Sequence, residues 1–136
     1  MKTTMVFWSG VMLLICLVCG CSDIGDEPLG FNPPPPGVSF SAEIQPILNS
    51  YCAISFCHGS PSPPNNLNLS DYAGVMTSGI HSPVVIAFEA DSSYLVWKLR
   101  GAAPEGGQMP PTGYASPPSA DTSLIVQWIA EGAQDN

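Results

Sequence analysis

Basic side chains are nearly absent from this chain. Lysine and arginine together number 3 in 136 residues, against 11 acids, and the formal net charge at pH 7 is −8. A surface so poor in cations cannot neutralise a phosphate backbone, which excludes nucleic-acid binding. Cysteine is scarce where a fold could use it. Of 5 in all, Cys16, Cys19 and Cys21 fall in the apolar N-terminal segment, and only Cys52 and Cys57 remain for the folded part. Histidine occurs twice, at His58 and His81, so no second Cys/His pair can complete a structural zinc site. No glycine-rich phosphate loop, nucleophile or general base stands out.

What the chain does have is concentrated in Tyr51-Cys52-Ala53-Ile54-Ser55-Phe56-Cys57-His58-Gly59. Two thiols and an imidazole on one short bent segment are the groups that covalent haem attachment needs. The thiols form thioethers with the haem vinyl groups, and the histidine directly after the second cysteine faces the iron. The common spacing is C-x-x-C-H. Here it is C-x4-C-H, a longer loop that keeps Cys57 and His58 adjacent. Axial ligation by His58 is therefore a firmer reading than attachment at Cys52. A Cys52–Cys57 disulfide is an alternative that suits an exported protein, but it leaves His58 and a downstream methionine motif unexplained. A zinc or copper site would need a fourth ligand from elsewhere.

The N-terminus reads as an export signal. Lys2 is followed by an apolar run from Met5 to Val18, then Cys19-Gly20-Cys21. This end resembles a bacterial lipoprotein signal, with residues 1–20 removed and Cys21 lipidated. An uncleaved membrane helix is the alternative, though the run is short of the roughly 20 residues that span a bilayer. Residues 21–38 carry the lipidated cysteine and a tether. With three acids, five prolines and few apolar residues, the tether cannot bury enough to fold alone. Its Pro33–Pro36 run favours a stiff extended spacer, reaching at most about 55–60 Å. A proline-rich recognition motif is the other reading. Ser22 after Cys21, in place of the aspartate that commonly retains lipoproteins at the inner membrane, points to the outer membrane or cell surface.

Residues 39–136 make one domain. Apolar spacing predicts a helix over 39–51, capped by Ser41, with Ile44, Ile47, Leu48 and Tyr51 on one face. Leu67 and Leu69 should dip into an apolar pocket, and Met76 should belong to the core. A short helix should start at Ser70 or Asp71, and 83–88 could be an extended strand. A further helix over 91–101 should be capped by Asp91 or Ser92 and stopped by Gly101, with Lys98 and Arg100 complementing its dipole. The last helix should run from Asp121 to Gly132 and bury Leu124, Ile125, Trp128 and Ile129 across the 44–51 helix. Residues 102–118 are too rich in proline and glycine to be helical, which puts Met109 on a loop stiffened by Pro110 and Pro111.

Met109 is the expected second axial ligand. A thioether favours reduced iron, and a rigid loop would hold it in place. A gap-filling core methionine is the bland reading. His81 is the rival ligand, on a segment that otherwise reads as an exposed loop.

Taken together, Phe40-Ser41, Ile44, Pro46-Ile47-Leu48, Cys52, Cys57-His58-Gly59, Ser93-Tyr94-Leu95, Lys98-Leu99, Met109-Pro110-Pro111, Ile125, Trp128-Ile129 and Gly132-Ala133 resemble small bacterial class I c-type cytochromes, in particular the planctomycete-type cytochrome c domains. The resemblance runs from Phe40 to Ala133 and departs at the C-x4-C-H spacing. It implies an all-α, cytochrome c-like fold of about three to five short helices with long loops around one haem c, with His58 proximal and Met109 distal. With both axial positions filled, one-electron transfer is the expected function rather than enzymatic turnover. A haem-containing electron-entry subunit or open-site haem domain of a periplasmic oxidoreductase is one alternative. A haem-free lipoprotein stapled by Cys52–Cys57 is another. The acidic surface implies a redox partner with a basic docking face, and the lipid implies a membrane.

Overall fold

The computed structural model describes residues 37–59 and 61–136, which belong to one compact unit. The signal segment, Cys21 and nearly all of the tether lie outside the described residues. The fold is all-α. Four α-helices and no strand occur among the described residues: α1 (Gln45–Tyr51), α2 (Tyr72–Thr77), α3 (Tyr94–Arg100) and α4 (Ser119–Ala130). The 83–88 segment is accordingly irregular rather than a strand. It still buries Val84 and Val85, and the Val84 carbonyl accepts from Leu95 N–H at 2.9 Å.

The first helix begins differently from its expected form. Ser39, not Ser41, is the cap. Its hydroxyl accepts from Ala42 N–H, and Glu43 reaches back to accept Ser39 N–H at 2.8 Å. Ser41 instead donates from Oγ to the Asn136 carbonyl. The turn Phe40–Ile44 is π-helical. Pro46, within the first two positions of α1, has no N–H to give the Ala42 carbonyl, so the ladder cannot run unbroken through this point. Val38, assigned to the tether from the sequence, is buried and donates its N–H to Glu131 at 2.7 Å.

The other starts shift as well. Asp71 caps α2 by accepting from Gly74 N–H at 2.7 Å. Residues Ala90–Ser92 form a separate 3₁₀ turn, so α3 starts only at Tyr94. Asp91 pairs with Arg100 at 2.7 Å instead of capping. Ser93 is fully buried, and its hydroxyl accepts from Ile86 N–H and donates to the Glu89 carbonyl. Gly101, at φ 70°, ends α3 as expected. α4 starts two residues before Asp121, which falls in its first turn.

α4 packs against the Phe40–Ile44 turn rather than across α1 itself. The joint is aromatic. Phe40 lies 5.3 Å from Trp128 and 5.1 Å edge-on to Tyr72, centroid to centroid. Trp128 is 1 % exposed and donates from Nε1 to the Gln134 carbonyl. Such a ring combines large buried area with specific pair geometry and a satisfied polar atom. Trp128→Ala should therefore cost about 3–5 kcal/mol, read by urea denaturation. A loss under about 1 kcal/mol would mean that the Phe40–Tyr72–Trp128 group is not the centre of this core.

Candidate functional site

The turn after α1 is closed by backbone contacts. Cys57 N–H donates to Ile54 O at 3.0 Å, and His58 N–H to Cys52 O at 3.1 Å. Gly59 follows directly. A Cβ there would run into the Ala53 carbonyl, so only glycine lets the chain pass. Phe56 absorbs the extra length of the loop at φ 66°, with its ring almost wholly in solvent.

His58 is oriented by a partner that the sequence did not reveal. Its Nδ1 lies 3.0 Å from the Leu67 carbonyl. A carbonyl only accepts, so Nδ1 carries a proton, and in the neutral ring this leaves the lone pair on Nε2. Metal-binding histidines are commonly held this way. The Leu69 N–H donates to the His58 carbonyl at 2.9 Å, so the 67–69 segment grips both ends of the residue.

Cys52, Cys57, His58, Met109 and His81 all line one cavity of about 550 Å³. Most of its wall is apolar, including Leu67, Leu69, Val84, Leu95 and Leu99. Leu67 and Leu69 thus dip inward as expected, and Met76 packs against the core. Size and lining fall within the range of small-molecule and cofactor sites. Met109 stands at the rim, 37 % exposed. His81 stacks on Tyr94, with centroids 4.5 Å apart. The structure therefore brings both sulfurs, the imidazole of His58 and both sixth-ligand candidates to one chamber. Cys21 lies outside the described residues.

The cysteines are not joined by a disulfide. Burial, with Cys57 nearby as a smaller contribution, pushes the Cys52 thiol up to about 11 from an ordinary value of 9.0. Among the described residues, no three His, Cys, Asp or Glu side chains assemble as a bare metal-ion site. The volume and largely apolar lining of the cavity suit a small organic ligand or cofactor. The site offers an imidazole with a directed lone pair, two thiols and an oily wall.

Sequence reasoning missed the Leu67 carbonyl, because a backbone acceptor nine residues away leaves no residue-type signal. It also passed over Tyr94 as a cavity residue, although its place in the helical repeat could have indicated it. No family model and no curated protein matches the chain. Among solved structures, Kuenenia stuttgartiensis hydrazine synthase overlaps it with a TM-score of 0.49 at 24% identity, covering 71% of this chain. The match spans 16% of that protein's length.

Burial of the Cys52 thiol has two expected outcomes. At pH 8 the native thiol should alkylate about 100-fold more slowly than in the urea-unfolded chain, because its thiolate is that much rarer. The folded value lies above the unfolded one, so the associated stability is complete below pH about 9. It is lost as pH rises towards 11, on the order of 3 kcal/mol. Equal alkylation rates in the native and unfolded chain, followed by peptide mass analysis, would show Cys52 to be open to water.

Proposed function

We propose that this chain is a haem c domain that carries single electrons outside the cytoplasm, tethered to a membrane by a lipid on Cys21. The observation supporting this most directly is the His58 Nδ1 contact to Leu67, in a cavity that also receives both cysteine thiols. A haem bound there supplies a one-electron iron couple. His58 would offer Nε2 to the metal, held in direction by Leu67. Cys52 and Cys57 would supply the sulfurs of the thioether links. Met109, which lines the same cavity, would offer its thioether as the second ligand, favouring the reduced state. Leu67, Leu69, Val84, Leu95 and Leu99 would exclude water from the macrocycle.

A second reading draws on the position of Met109. Its 37 % exposure at the rim makes the site open to an added ligand if the sulfur is displaced. The domain would then serve as a haem-bearing module of an extracytoplasmic oxidoreductase, as an electron-entry subunit or an open-site centre. In either case the surface is acidic, with a chain net charge of −8, so the redox partner should present a basic face. In this proposal the signal is cleaved before Cys21 and a stiff tether leads from Ser22 to the domain, which takes in Val38; mass spectrometry of the membrane-bound form tests the cleavage and the lipid.

Expression in a host competent in cytochrome maturation should yield a red protein that keeps haem after denaturation. A pyridine haemochrome spectrum should report whether one or both thioethers form. In Met109→Ala, the ferrous protein should bind carbon monoxide far faster than wild type and have a lower potential. Wild type that binds carbon monoxide as fast as Met109→Ala supports the oxidoreductase reading. Colourless protein with an intact mass lacking haem leaves the Cys52–Cys57 disulfide form.

A further inference from the structure

Lysine in the last turn of a helix usually stays in water and interacts with its own helix end. Lys98 does something different. Its ammonium donates to the Glu105 carbonyl at 2.6 Å and to the Gly107 carbonyl at 3.3 Å, both in the irregular segment that follows α3. The carbonyl of the same residue accepts the Met109 N–H at 2.9 Å. One residue thus grips the 105–109 segment from both its main chain and its side chain. Gln108 adds a third tie, donating from Nε2 to the Leu99 carbonyl at 2.9 Å.

The surroundings are built for this grip. Gly106 sits at φ 63°, and a Cβ there would come within 2.8 Å of Lys98 Nζ. The ammonium also lies 5.3 Å from the Tyr94 ring centroid, and Tyr94 donates its hydroxyl to the Glu105 carbonyl at 3.3 Å. Residues 102–107 contain no helix or strand, so little else restrains the chain that carries Met109. Arg100, the other cation of the domain, pairs with Asp91 and stays off this segment.

We propose that Lys98 is a positioning residue: it docks the 105–109 segment on the end of α3 and so sets the Met109 sulfur at the cavity. This rests on the reading of Met109 as an axial ligand. Leucine keeps the helix propensity and the apolar stem of Lys98 but removes all three donors. Arg100→Leu removes the same charge without touching the segment.

The test compares wild type, Lys98→Leu, Lys98→Arg and Arg100→Leu in the full chain. Lys98→Leu should keep wild-type haem content and far-ultraviolet circular dichroism. It should lose the absorption signature of the methionine–iron bond and bind carbon monoxide more readily. The Met109 amide should exchange about tenfold faster, the size expected from losing hydrogen bonds to a charged group. Lys98→Arg should recover part of the signature, and Arg100→Leu should match wild type. Lys98→Leu with an unchanged methionine signature and unchanged exchange overturns the proposal, as does equal behaviour of Lys98→Leu and Arg100→Leu. Should wild type carry no haem, the functional reading fails on its own. Exchange at Met109 in that haem-free protein still decides whether the Lys98 clamp exists.

Discussion

The site depends on a single contact, the 3.0 Å hydrogen bond from His58 Nδ1 to the Leu67 carbonyl. It selects the tautomer, turns the ring and leaves Nε2 as the atom offered to the cavity. The contact needs two strands of backbone brought close together. One is the 52–59 turn, closed by His58 N–H on the Cys52 carbonyl. The other is the 67–69 segment, joined to it by Leu69 N–H on the His58 carbonyl. Gly59 makes the approach possible, because any side chain there would meet Ala53.

The rest of the fold supports that turn from behind. α1 delivers Cys52 at its end, and the Phe40–Ile44 turn is pinned to α4 by Phe40 and Trp128. Val38 and Glu131 tie the start of the domain to the end of α4. The Gln127 amide and the Val38 N–H both donate to the Glu131 carboxylate and hold it below the usual range, in that order of importance. The core is small, and Leu69, Val84, Leu95 and Leu99 both belong to it and line the apolar chamber. A domain of this size gains much by filling such a chamber with a bound group.

The helices were legible wherever apolar spacing was regular and a strong stop followed. Gly101 ends α3, Asp71 caps α2, and Ile125, Trp128 and Ile129 are buried along α4. The misjudged features were choices among neighbouring polar residues. Ser39 and Ser41 are equally good caps by type, and both hydroxyls donate to the Asn136 carbonyl; what separates them is that the Ser39 oxygen also accepts the Ala42 N–H. Asp91 lost its expected capping role to Arg100, and Ser93 turned inward to serve the 83–89 segment. For Asp91 and Ser93 a partner in a neighbouring segment outbid the local preference.

From the order of its residues alone, this chain declared helices near 39–51, 91–101 and 121–132 and a clustered pair of thiols beside an imidazole, while the all-α class was what the family resemblance implied. The helices and the cluster follow from periodicity and adjacency, which are local properties. It also marked Met109 as held by prolines rather than by a helix. Only the folded chain decided that Cys52, Cys57, His58, His81 and Met109 share one chamber, that Leu67 aims the imidazole, and that Lys98 carries the loop bearing Met109. The Leu67 and Lys98 contacts are made with backbone carbonyls that every residue possesses, and so they leave no mark in residue type.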